Sequence, residues 1–162
     1  MVYTPDTTVW PLLVELKDCL CQELTDAELK PSDCFCGIVP GADVPYDYDN
    51  GMAWVRLTGA NPSRTFPNTA VFSNGCGAPL AFGVEVGSLS CIPGLSPGGG
   101  FPTDDVREEA ARVQITTMQA MRRAITCCMP RGLEILLQGY IPVGPDGGLV
   151  GGIWTASISE EF

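Results

Sequence analysis

Only two charged side chains, Glu134 and Asp146, occur among the 26 residues 133–158, and the run is broken once, by Gly144-Pro145-Asp146-Gly147-Gly148. Two apolar-rich segments on either side of a glycine-rich turn predict a long β-hairpin, residues 133–143 and 149–158. A strand with one face in water alternates apolar with polar residues, and here too few polar residues are present for that. Both faces of the hairpin are therefore expected to be covered, one by helices and one by a neighbouring molecule.

The helices follow from a different period. Val9, Leu13, Leu16, Leu20 and Leu24 recur in three- and four-residue steps after Thr7 and Thr8, which predicts an amphipathic helix over residues 8–25, with Pro11 in its first turn. A second helix is predicted to start at Thr103 as N-cap, with Asp104 and Asp105 in the first turn. It lines up Val106, Ala110, Val113, Thr117, Met121, Ala124 and Cys128 on one face and stops at Pro130 and Gly132. Arg122 and Arg123 near its end suit the negative pole of the helix dipole.

Residues 53–57 and 81–91 read as strands, with a further short strand at 70–72. Residues 26–51, rich in proline, glycine and aspartate, read as a long irregular arm, and residues 92–102 as a turn-rich loop. Helix, arm, strands, helix and hairpin group into a single α+β domain spanning 1–162. Its largely antiparallel sheet carries two helices packed on one face and ends in the C-terminal β-hairpin.

Composition narrows the function. Charged residues make up 17% of the chain, against roughly 25% in an average soluble domain, which leaves little charge to cover a lone monomer. No apolar run reaches the ~20 residues of a membrane helix, so no membrane role is expected and the missing polarity is assigned to subunit contacts in a homo-oligomer. A net charge of −10, from 19 acidic and 9 basic side chains, speaks against specific nucleic-acid binding. The chain has no histidine, which removes Ser-His-Asp, Cys-His and HExxH chemistry. The first residues, MVYTPDTTVW, lack the pattern of a secretory signal, so the eight cysteines are expected to be reduced; Cys19/Cys21 and Cys127/Cys128 are poor partners within themselves.

Several motifs fail on inspection. Gly94-Leu95-Ser96-Pro97-Gly98 matches a nucleophile elbow but has no histidine to serve it. In Asp47-Tyr48-Asp49-Asn50-Gly51 a calcium loop would place tyrosines at its first and third positions and Leu57 at its twelfth. Cys19, Cys21, Cys34 and Cys36 are too closely spaced within each pair for structural zinc, and Cys19 and Cys21 point to different sides of a helix. There is no phosphate-binding loop, and Asn61-Pro62-Ser63 is blocked by its proline as a glycosylation site. No catalytic residue, metal or cofactor is assigned.

Three segments carry a resemblance: Cys76-Gly77-Ala78-Pro79-Leu80-Ala81-Phe82-Gly83-Val84-Glu85-Val86-Gly87, Met118-Gln119-Ala120-Met121-Arg122-Arg123-Ala124-Ile125, and Gly139-Tyr140-Ile141-Pro142-Val143-Gly144-Pro145 with Gly151-Gly152-Ile153-Trp154-Thr155. Together they resemble virion proteins of bacteriophages infecting actinobacteria, most closely the tail terminators and other head-to-tail joining proteins of long flexible-tailed phages. The resemblance implies a non-enzymatic structural subunit, assembled in the host cytoplasm and located at the head-proximal end of the virion tail. It implies a homohexameric ring that caps the tail tube protein, ends tube growth and meets the head-tail connector or stopper protein. An acidic lumen, with Asp43, Asp47, Asp49, Asp104 and Asp105 as candidates, would let DNA pass without sticking. For the ring contact the candidates are Ile141, Val143, Leu149, Ile153 and Trp154, with Arg122 and Arg123 facing acids on the adjacent subunit. The arm and the 94–102 loop are candidates for axial docking. The alternatives are another connector protein (stopper or adaptor, expected to be all-β), a cysteine-based metal or redox protein, and a generic oligomeric module.

Overall fold

A computed structural model describes residues 6–29, 35–44, 51–69, 79–91, 102–146 and 148–159. Its elements are α1 (Val9–Asp26), β1 (Phe35–Ile38), β2 (Met52–Pro62), β3 (Leu80–Cys91), α2 (Asp104–Cys127), β4 (Ile135–Asp146) and β5 (Leu149–Ser159). The strands form one sheet in the order β1-β2-β3-β5-β4, in which β1 and β2 are parallel and all other neighbours antiparallel. The fold is the α+β arrangement expected from the pattern, including the terminal hairpin. The predicted strand at 70–72 and the 92–101 loop lie outside the described residues.

Both helices cover the same face. Leu12, Leu13, Leu16, Leu20 and Leu24 of α1 and Ala120, Met121, Ala124 and Ile125 of α2 form one core with Ala53, Val55, Val84, Val86, Ala156 and Ile158, the alternate residues of β2, β3 and β5. Leu16 and Leu20 are fully buried there; truncating either to alanine costs about 2–5 kcal/mol through lost transfer energy and the cavity left behind. The start of α1 is capped from Asp6, upstream of the two threonines. Thr8 makes no side-chain cap bond, and the Asp6 carboxylate instead accepts the N–H groups of Thr8 and Trp10.

The expected face of α2 holds only in its second half. Its buried residues are Thr117, Ala120, Met121, Ala124 and Ile125, whereas Val106, Ala110, Val113 and Cys128 are half-buried. The contacts Cys19–Cys128 and Glu23–Arg123 anchor α1 to the last turns of α2 in antiparallel sense. The first turns of α2, rich in charge, are left mostly in solvent.

Two sequence expectations are corrected. Residues 26–51 are not wholly irregular, since β1 lies within them. A four-residue parallel strand between prolines carries no readable period, and it is fixed by pairing with Met52 to Val55 of β2 and by packing of Cys36 and Ile38 on the core. The thiols are not all reduced: Cys19 is joined to Cys128 and Cys21 to Cys36, while Cys127 is an exposed free thiol. Cys19 and Cys21 do point to different sides of α1, as the helical spacing requires, and each side meets a different partner element. Those partners are 109 and 15 residues away, distances at which pairing is decided by the fold.

The second face of the sheet carries a smaller cluster, Val39, Met52, Trp54, Leu89 and Leu149, with Val44, Val143 and Ile153 packed against it. The hairpin reverses between Asp146 and Leu149, and Gly148 takes the positive φ, 82°, that so tight a turn demands.

Candidate assembly surface

β4 is an edge strand, because β5 rather than β4 pairs with β3. Its pairing with β5 is interrupted at Leu137/Gly139 and again at Val143/Asp146, and it contains Pro142. Bulges and proline are the features by which a sheet edge avoids open-ended backbone pairing, so what this edge offers is its side chains. Ile141 stands opposite Ile153, and Leu136 opposite Ser157, on the face away from the helices. Ile141 is 59% exposed and Leu136 41%. With half-buried Val143 and Ile153 beside them, they make an uncharged apolar strip along the outer ribbon.

The seven residues proposed from sequence for a subunit contact do not form one surface. Ile141, Val143 and Ile153 share the strip just described. Leu149, on the same face, is 2% exposed and belongs to the second core cluster. Trp154 lies on the helix side, tilted against Tyr140 with ring centroids 5.6 Å apart, and its Nε1 donates to the Met118 carbonyl at 2.9 Å. It therefore ties β5 to α2. Arg123 donates to Glu23 of its own chain at 2.7 Å, and Arg122 is exposed on α2. Of the candidate lumen acids, Asp43, Asp104 and Asp105 are exposed, and Asp47 and Asp49 lie outside the described residues.

Sequence reasoning missed a buried ionic cluster on the second face. Arg56 and Glu85 stand directly opposite on β2 and β3. The guanidinium grips the carboxylate with both ends, Nε to Oε1 at 2.7 Å and Nη2 to Oε2 at 2.6 Å, and Trp54 Nε1 donates to the same Oε1 at 2.8 Å. Arg56 also donates through Nη1 to the carbonyls of Gly41 and Ala42, which draws residues 41–42 onto the sheet. A cleft of about 300 Å³ lined by Gly41, Ala42, Arg56, Leu57 and Thr58 lies beside it. Since the guanidinium is engaged by Glu85 and two backbone carbonyls, this is a structural clasp. The available signal was one acid and one base at second-face positions of otherwise apolar strands.

The thiol arrangement bears on the zinc alternative. Cys19, Cys21 and Cys36 are spent in disulfides, and Cys34 and the Gly94–Gly98 motif lie outside the described residues. Among the described residues no three His, Cys, Asp or Glu side chains converge as a metal site, and no helix is long and apolar enough to cross a membrane. Neither a protein-family model nor a curated protein sequence matches this chain.

Proposed function

We propose that this chain is a structural subunit of a bacteriophage tail, a tail terminator. It forms a ring, six-membered in the family it resembles, on the last turn of the tail tube, ends tube growth and presents a surface to the head connector. The observation that carries the reading is the uncharged strip of Leu136, Ile141, Val143 and Ile153 on an edge ribbon whose own chain leaves Ile141 59% exposed. Large apolar side chains grouped at a sheet edge are what a subunit contact needs, and burying the exposed part of Ile141 is worth about 1–2 kcal/mol. The helices, of 18 and 24 residues, favour a terminator over the all-β stopper.

Light scattering of the purified protein, alone and with the tail tube protein, tests this. A ring in solution, or a monomer or dimer that assembles only on tube ends, supports the reading, with Ile141→Asp abolishing ring formation in either case. A chain that ignores tube protein and never exceeds a dimer overturns it.

A further inference from the structure

On the solvent side of α2, Glu108, Ile115 and Arg122 are spaced seven residues apart, so they share one stripe of the helix, with Glu108 and Arg122 each within about 20° of Ile115. All three are exposed, Ile115 at 59%. Of the other charges near the stripe, Asp104 is matched with Arg107, Glu109 with Arg112 and Arg123 with Glu23 within the chain, while Asp105 is exposed to one side of it. Among the described residues Glu108 and Arg122 form no ion pair.

We infer that this stripe is a two-fold contact with a second copy of the chain, in which two α2 helices cross antiparallel at Ile115. The order acid, isoleucine, base is self-complementary when reversed. An antiparallel neighbour brings Ile115 against its counterpart on the axis and sets each Glu108 opposite the partner's Arg122, about 10 Å to either side. Ala111 and Gln119, also exposed, then face each other between these layers, and the small alanine allows close approach. Two chains of net charge −10 repel over most of their surface, so self-association is favoured where signs alternate in matching register. A single helix stripe is a small contact, so the dimer is weak and salt-sensitive. This surface lies on the helix side of the sheet and the β4 strip on the other, and the inference does not depend on the ring.

Sedimentation equilibrium over a wide concentration range tests it, run on the wild-type chain and on Ile141→Asp, which removes the proposed ring contact. The Ile141→Asp chain is expected to show a monomer–dimer equilibrium that weakens with salt, and the wild type to show the same wherever it is not drawn into a ring. Glu108→Arg or Arg122→Glu sets like charges together at two symmetric positions and raises the dissociation constant about tenfold or more, and Ile115→Asp gives monomer. The double reversal Glu108→Arg/Arg122→Glu re-forms both pairs with signs exchanged and recovers dimerisation. All these side chains are exposed, so far-ultraviolet circular dichroism should be unchanged. A chain that stays monomeric at every concentration, a dimer indifferent to the single reversals, or a double reversal no better than the singles overturns the inference. Failure of the ring reading alone would leave the dimer of the Ile141→Asp chain intact.

Discussion

The indole of Trp54 fills the space above Gly87, its partner on the adjacent strand. A methyl group at Gly87 would stand 2.6 Å from Cη2 and nearer still to Cζ2 and Cε2. Trp54 is completely buried, so the ring has nowhere to retreat without disturbing Met52, Leu89 and Leu149 around it. Gly87→Ala is expected to destabilise the fold by about 3 kcal/mol. Urea unfolding followed by tryptophan fluorescence measures this, and a shift of the midpoint no larger than that of an exposed alanine substitution would refute it.

The clasp below that tryptophan gives a second prediction. Glu85→Ala removes the carboxylate that the mostly buried Arg56 guanidinium and the Trp54 indole N–H share, at a cost of about 3–5 kcal/mol. The double variant Arg56→Met/Glu85→Ala, which removes the guanidinium charge as well, should be more stable than Glu85→Ala alone. Denaturant midpoints of the wild type and the two variants read this directly, and hydrogen exchange at residues 41–42 should accelerate in both lines lacking the pair.

The disulfides divide their effect by loop length. On the chain-entropy argument, Cys19–Cys128, closing a span of 109 residues, should contribute about 5 kcal/mol, and Cys21–Cys36, closing 15, about 3 kcal/mol. Peptide mapping without reductant is expected to recover these two links. Thermal melting of Cys19→Ser/Cys128→Ser should show the larger loss, and equal losses would argue against the entropic account.

Tyr140 supplies the pH dependence. Burial raises its phenol above the ordinary 10.0, and its hydroxyl donates to the Gly151 carbonyl at 3.0 Å. Because the unfolded chain ionises first, the stabilisation is complete below pH 10 and is lost as pH rises through the folded value. Stability should therefore fall more steeply above pH 10 in the wild type than in Tyr140→Phe. Parallel alkaline denaturation curves for the two would contradict this.

Local period, turn chemistry and charge placement were enough to determine α1, the span of α2, the cores of β2 and β3, the terminal hairpin and hence the α+β class. Each of these depends on residues within a few positions of one another. The hairpin is apolar and nearly uncharged as read from the sequence, and Ile141, Val143 and Ile153 share one strip of it. Tertiary structure decided what no local pattern encodes. It placed β5 inside and β4 at the edge, so Ile141 is exposed while Leu149, eight residues on, is core. It put Trp154 on the helix side, where Met118 holds its N–H, and turned Arg123 toward Glu23. It also brought Cys19 to Cys128 and Arg56 to Glu85, pairings across 109 and 29 residues. Such contacts follow from strand order and helix packing, which are set by the joint burial of all the apolar faces and not by any one segment.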